Sequence, residues 1–503
     1  MSGHRTARVL VYTHRWLGIA FGILFIVWFV SGIVMMYARM PALDPAERLA
    51  RLPALNPASI RVAPLDNPVV SGFSRMDRIE AARVSITSLE GRAVYRIIAA
   101  GRTSHVFADT GDQVPPVDAE QALRLARAFA GGHAGVRYDA RLADADQWTF
   151  DVRSRMPLHR IAVEDAAGTR LYVAENGGDV VAKTTASGRR WGAAGAVMHW
   201  LYFAPFRRQS SLWSNSVIGL SLAGTVLSAV GIAWGVWRFA PWRGYRLRDR
   251  RQWSPYASWM RWHHYSGLIF GATTMMWVFS GMLSMDPWGW SPGTAPTREQ
   301  RERVSGGPLV ADGLSLDRVR RAIAAFAPRY PKQVDVTRFR GHYYAGAAEG
   351  IVSLDAPHLG ALDGLASDLV IGAASAAMPG VPIEGLHWMD EYDAYYYDRD
   401  RRLSLPVLRV RYRDPKRTWL YFDPRHGAIA RKEERLSRVN RWLYHGFHSF
   451  DFPFLYDRRP LWDVVVIGLS LGGLLLSAST LTASWRRLRR AARRITAARP
   501  GES

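Results

Sequence analysis

Cysteine is absent from all 503 residues. That one absence excludes disulfides, thiolate-ligated haem, covalent c-type haem and ordinary iron-sulfur clusters. Acidic residues are scarce too: 43 Asp plus Glu stand against 66 Lys plus Arg, a formal charge of +23. The excess invites a nucleic-acid reading, but no zinc-finger spacing or RNA-binding signature accompanies it. A P-loop, a nucleotide fingerprint after a strand and a Ser-His-Asp arrangement are also missing. Any redox centre must be held another way.

Formal charge is missing from four stretches: Trp16 to Ala38, Gln209 to Trp237, Trp262 to Met285 and Val464 to Trp485. At about 1.5 Å per residue each can cross a hydrocarbon layer of roughly 30 Å. The first has no cleavage signature and ends in MMYARM, so a retained anchor is expected rather than a signal peptide. WGAAGAVMHWLYFAPF, Trp191 to Phe206, is too short for a further crossing and is expected as an interfacial approach helix. The 20 Trp suit interfacial anchoring.

The basic residues sit at the ends of these spans. Arg5, Arg8 and Arg15 precede the first; seven arginines from Arg238 to Arg261 join spans two and three; seven from Arg486 to Arg499 follow the fourth. The positive-inside rule then places both termini in the cytoplasm. Membrane lipid, not nucleic acid, is the expected partner of these flanks. The expected division is a cytoplasmic N-terminus and first helix (1–38), an extracytoplasmic region (39–190), an approach helix and second span (191–237), and a basic cytoplasmic loop (238–262). The third span (263–285), a second extracytoplasmic region (286–440), an approach helix and fourth span (441–485) and a basic cytoplasmic tail (486–503) follow. In a bacterial inner membrane the two large regions are periplasmic.

Both regions read as small alpha-plus-beta modules. RIEAARVSITSLEGRAVYRIIAAGRTSHVFADTGDQ predicts helix, turn, strand, turn, strand, and DAEQALRLARAFAGG predicts a helix. LSLDRVRRAIAAFAPRYPKQVDVTRFRGHYYAGA repeats a helix-then-strand pattern. VLRVRYRDPKRTWLYFDPRHGAIARK predicts two strands around Asp414-Pro415 and a turn at Asp423-Pro424.

Displacing the chain by 249 residues lays HRWLGIAFG (His14 to Gly22) on HHYSGLIFG (His263 to Gly271) and WFVSG (Trp28 to Gly32) on WVFSG (Trp277 to Gly281). The same shift lays LWSNSVIGLSLAGTVLS on LWDVVVIGLSLGGLLLS without a gap. This is an internal duplication with both halves in one orientation, a parallel repeat. In that register His14 falls on His263 and His199 on His448, whereas His264 falls on Arg15 and His445 on Ala196. A lone histidine near a helix end is ordinarily a hydrogen-bonding residue. Four repeated ones, two at each edge of the membrane, suit axial ligation of two b haems, because imidazole nitrogen is a good iron ligand. Gly18, Gly22 and Gly32, with Gly267, Gly271 and Gly281, allow close approach of either a porphyrin face or a neighbouring backbone. Arg15, Arg207 and Arg208 are candidates for propionate contact or for interfacial anchoring.

These motifs, HRWLG, MHWLYF, HHYSGLIFG and YHGFHSFDFP in this order, resemble the PepSY-associated transmembrane family over nearly the whole chain. The family includes iron-uptake-associated membrane proteins and siderophore-iron reductases. The resemblance implies a duplicated four-helix transmembrane bundle with two extracytoplasmic alpha+beta PepSY-like regions. It also implies two haem b groups held by His14, His199, His263 and His448, with His264 and His445 as alternatives. The implied activity is an outward electron transfer to ferric siderophore iron or another outer acceptor, with a quinol or a cytoplasmic reductase as donor. An iron-siderophore transport component without reductase activity and a PepSY-type binding or regulatory membrane protein are the other readings.

LHWMDEYDAYYYDRD, Leu386 to Asp400, offers outer substrate contacts: His387, Asp390 and Glu391 as metal or acid-base groups, Tyr392 and Tyr395 to Tyr397 for stacking. His105, His133, His159, His342, His358 and His426 show no repeated or compact ligand pattern and are expected to be solvated or ordinarily hydrogen-bonded.

Overall fold

The computed structural model describes residues 2–65, 80–99, 102–132, 134–247, 250–356, 358 and 360–497. His133, Arg248, Arg499 and the first two residues of the RIEAAR segment lie outside the described residues. The chain divides into two compact units, one gathering Met1–Met40, Ser187–Ser291 and Val439–Ser503, the other Pro41–Ala186 and Pro292–Arg438.

Among the described residues, four stretches of the first unit are long and apolar enough to cross a membrane: the helices α1 (Ser2–Met35), α2 (Ser210–Arg238) and α3 (Trp259–Leu283), and the span Leu461–Arg490. In the last, α4 (Leu461–Ala478) runs through a turn into the basic α5 (Leu481–Ala497). This is a multi-pass membrane protein. Ile23, Ile269 and Val464 point outward, as lipid-facing side chains do. Inside the helices, the hydroxyls of Thr225, Ser228, Thr274, Ser470 and Ser477 donate to the carbonyl one turn back, which pairs them within their own helix.

The helices form a ring in which α1 and α3 each pack against both α2 and α4. Phe21, Phe25 and Phe29 of α1 fill its centre with Leu227 and Val278. The repeated seams IGLSLAG and IGLSLGG make room for them. A Cβ on Gly224 would stand 3.2 Å from the Phe25 ring, and one on Gly473, its counterpart, would collide with Phe29. The duplication extends to the approach segments. Each has a wide helical turn, Ala193–Val197 or Arg441–Gly446, and each stops at a left-handed residue, Leu201 (φ 53°) or Phe450 (φ 50°). Trp213 and Trp462 donate their indole N–H to the carbonyls of Trp200 and Ser449, both at 3.0 Å.

The second unit holds three antiparallel sheets. Its largest has seven strands and draws on both outer stretches: Glu80–Leu89, Arg92–Ala99 and Arg102–Phe107 from one, Leu309–Val310, Val334–Phe339, His342–Ala347 and Gly350–Ser353 from the other. The joint is Glu80–Leu89 against Val334–Phe339, with Ser85 opposite Asp335. The two regions expected as separate modules therefore share one sheet. Helix Leu316–Ala324 covers one face, burying Val84, Ile86, Tyr95, Ile97, Val319 and Ile323 together. Glu80–Leu89 corrects the helix expected there. Its two-residue alternation and hydrogen bonding on both edges outweigh the helix-favouring Glu-Ala-Ala-Arg start.

Two four-stranded sheets complete the unit and are counterparts in the repeat. Val136–Leu142, Leu158–Val163, Arg170–Ala174 and Val180–Thr184 pack on helix Ala119–Phe129. Ile383–Met389, Val407–Tyr412, Trp419–Asp423 and Ala428–Glu433 pack on helix Ser367–Ala377.

Candidate functional site

The four repeated histidines meet in two pairs. His14 on α1 and His263 on α3 have ring centres 5.9 Å apart; His199 and His448, in the last turns of the approach segments, have ring centres 6.1 Å apart. Trp28, whose carbonyl meets His199, stands about four turns beyond His14 on α1, or roughly 21 Å along the axis. The pairs thus lie toward opposite ends of the bundle. His14 and His263 occupy the basic end, where the chain start, the arginine-rich connection and α5 are found.

Each imidazole is oriented by a main-chain carbonyl. His14 Nδ1 lies 3.3 Å from Leu227 O and His263 Nδ1 3.1 Å from Leu476 O. His199 Nδ1 lies 3.2 Å from Trp28 O and His448 Nδ1 3.1 Å from Trp277 O. Every one of these bonds recurs at a displacement of 249 residues. A carbonyl oxygen only accepts, so Nδ1 carries the proton and Nε2 bears the lone pair. Serines reinforce three of the four: Ser31 and Ser280 stand 3.1 Å from the Nδ1 atoms of His199 and His448, and Ser479 stands 3.1 Å from that of His263. Ser31 and Ser280 belong to the repeated WFVSG and WVFSG motifs, a signal present in the sequence whose role emerges only from the fold.

Glycines admit the rings. A Cβ on Gly32 would lie 3.4 Å from His199 Cε1, one on Gly281 3.2 Å from His448 Cε1, and one on Gly231 2.5 Å from His14 Cε1. Gly18, Gly22, Gly267 and Gly271 instead line a cavity of about 300 Å³ at the basic end, together with His14, His263, Arg15 and Arg487. The glycines of the stripe thus meet imidazole rings or line the cavity.

The chain resembles proteins already grouped by sequence. The family described as the PepSY-associated TM region matches residues 11–391. The chain belongs to this family. No curated protein matches it. In this PepSY-associated protein the alternatives lie beside the pairs: His264 lines the same cavity as His14 and His263, and Tyr444 packs against both His445 and His448. His264 is buried with Nδ1 2.8 Å from Ser254 Oγ and Nε2 2.8 Å from Gly235 O, so both nitrogens are engaged. His445 packs against Tyr444, ring centres 4.6 Å apart. Arg207 lies over the rings of Tyr202 and Trp213.

The outer stretch Leu386 to Asp400 combines exposed polar groups with half-buried and buried tyrosines. His387, Asp390 and Glu391 are exposed on and beyond an edge strand, and among the described residues no three His, Asp or Glu side chains converge as a metal site. Among the tyrosines Tyr396 is core, and Tyr392, Tyr395 and Tyr397 are half-buried. Tyr396 is fully buried and stacks on Tyr421 at 4.9 Å, while the hydroxyls of Tyr392 and Tyr396 donate to Leu403 O and Ser404 O. Among the other histidines, His159 is hydrogen-bonded by both nitrogens, to Tyr138 and Val117 O, and His342 and His358 are exposed. His426 pairs with Asp423 at 2.6 Å, and that carboxylate holds its pKa above the ordinary histidine range. His105 departs from expectation. It is buried, and its Nε2 has no hydrogen-bond partner.

The pairs can be tested against the group the repeat suggests. Two imidazoles bound to one metal ion through bonds of about 2.0 Å hold their ring centres roughly 6 Å apart. Both pairs have that spacing and orienting bonds on Nδ1, and a cavity of ligand-binding size adjoins one of them. The donor set fits bis-histidine haem b.

Proposed function

We propose that this protein is a di-haem b membrane oxidoreductase that passes electrons outward to an extracytoplasmic acceptor, with ferric siderophore iron as the acceptor class. One observation carries the reading: four histidines, placed by an internal repeat, face one another in two pairs at 5.9 and 6.1 Å, each with Nδ1 bound to a carbonyl. His14 and His263 would hold one haem and His199 and His448 the other; bound there, the haems would supply one-electron iron couples toward the two ends of the bundle. The carbonyls of Leu227, Leu476, Trp28 and Trp277 keep Nδ1 protonated and raise the basicity of Nε2. With two protein imidazoles available at each site, a haem held there would be suited to electron transfer rather than oxygen chemistry. The apolar outer face of the helices keeps both sites within lipid.

The arginine-rich ends support, by the positive-inside rule, a reading in which both termini face the cytoplasm of a bacterial cell and the second unit faces the periplasm. A quinol in the membrane or a separate cytoplasmic reductase is the donor. The test begins with cofactor content. Protein purified in detergent after haem-replete expression should carry about two b haems per chain by pyridine haemochrome, and a reproducible value of zero overturns the reading. Oriented vesicles reduced from the cytoplasmic side should then reduce a membrane-impermeant ferric siderophore outside. Reducible haems that stay inert across a broad chelate panel would keep the electron-transfer reading and remove siderophore iron as its acceptor.

A further inference from the structure

The seven-stranded sheet has one apolar face, buried under helix Leu316–Ala324, and one polar face that no redox role uses. Directly opposed residues on neighbouring antiparallel strands share a face. Asp335 opposes Ser85, Ser85 opposes Arg96, and Arg96 opposes His105, so these four form a row across four strands.

The acidic members of this surface are already engaged. Asp335 accepts from Ser85 Oγ at 2.6 Å, from Gln333 Nε2 at 3.2 Å and from Arg83 at 3.4 Å. Asp179 is paired with Arg155. Arg96 is different. It is half-buried, its Nε is buried without a partner, and no carboxylate among the described residues bonds to it. Its charged surroundings are Arg155, Asp179, Arg83 and Arg48, three cations and one anion, and burial together with those arginines pulls its pKa below the ordinary guanidinium value.

Beside it lies His105, only 7% exposed, whose Nε2 also lacks a partner. The hairpin between Arg170–Ala174 and Val180–Thr184 closes over this ring. Gly177 sits at its tip with φ +90°, and a Cβ there would come within 2.5 Å of His105 Cδ2 and Nε2. A buried donor without an acceptor costs about 1–3 kcal/mol; one such donor, Arg96 Nε, and an unpartnered imidazole nitrogen, His105 Nε2, stand on adjacent strands in a field with an excess of positive charge.

We propose that Arg96 and His105 bind a small oxyanion, the carboxylate or phosphate group of a solute, in the positive field of Arg155, Arg83 and Arg48. The guanidinium fork of Arg96 matches two oxygens of such a group, and His105 supplies an N–H from Nε2. The site is independent of the paired histidines of the membrane unit.

The full-length protein in detergent, titrated calorimetrically at constant ionic strength with inorganic phosphate and, separately, with citrate, tests this. Saturable binding of one ion per chain is expected for at least one of them. Phosphate alone identifies a phosphate-bearing solute, and citrate alone a polycarboxylate. Arg96→Gln should weaken binding at least tenfold and His105→Gln severalfold, while Arg329→Gln, at an exposed position elsewhere in the unit, should leave it unchanged. Arg96→Lys keeps the charge but loses the fork, and should weaken binding severalfold even if the glutamine variant does not fold. Absence of saturable binding by either ion, or full affinity in Arg96→Lys, overturns the proposal.

Discussion

The two histidine pairs arise from one duplication, yet their surroundings have diverged unequally. Toward the end away from the arginine-rich segments, His199 and His448 have matching partners: a tryptophan carbonyl and a serine hydroxyl each. At the basic end the match is incomplete. His263 has Leu476 O and Ser479 Oγ, whereas His14 has Leu227 O alone, and the residue 249 positions before Ser479 is Val230. Gly231, pressed against His14, likewise has Thr480 as its counterpart. Main-chain carbonyls position all four rings and survive sequence change, because every residue carries one. The side chains that adjust those rings are free to drift, and they have drifted at one end.

The largest expected effect removes one pair and spares the other. His14→Ala or His263→Ala should lower haem content from about two to about one per chain and abolish one spectral component. His199→Ala or His448→Ala should abolish the other. Potentiometric titration of the purified variants checks this, and loss of the same component from all four variants would break the pairing. A smaller effect is expected at Gly231, where a Cβ would stand 2.5 Å from His14 Cε1 and 2.8 Å from its Nδ1. Gly231→Val should push the ring off Leu227 O, so that the basic-end haem dissociates severalfold faster to a haem-scavenging apoprotein. Unchanged release from that site would show that the ring relaxes without cost.

The pairing was legible because charge-free stretches, arginine flanks and a gapless repeat are all written in linear order. His14 with His263 and His199 with His448 follow from one displacement of the chain. Three features were not legible. The sharing of a sheet by the two outer stretches depends on a strand pair, Ser85 with Asp335, separated by 250 positions, and no local pattern announces it. The Tyr395 to Tyr397 run looked like a stacking surface because aromatic residues suit surfaces and cores equally; only burial of Tyr396 against Tyr421 distinguishes them. His105 looked ordinary because its meaning lies in what its Nε2 does not touch.

The smallest effect isolates the serines. Ser479 Oγ donates its own proton to Leu476 O at 2.7 Å, so a lone pair faces His263 Nδ1–H. An acceptor on that hydrogen makes the imidazole a stronger donor through Nε2, which favours ferric over ferrous iron and lowers the midpoint potential. One neutral hydrogen bond is worth about 1 kcal/mol, on the order of 40 mV for a one-electron couple. Ser479→Ala should therefore raise the basic-end potential by at most that amount, and Val230→Ser should lower it if its hydroxyl reaches His14 as Ser479 reaches His263. Ser31→Ala and Ser280→Ala should raise only the other potential, each by a similar step, and the double variant by roughly the sum because the two serines serve different rings. A shift of the same size in both couples from any one serine would mean that the change acts through the whole bundle, and the assignment of each serine to its own imidazole would fall.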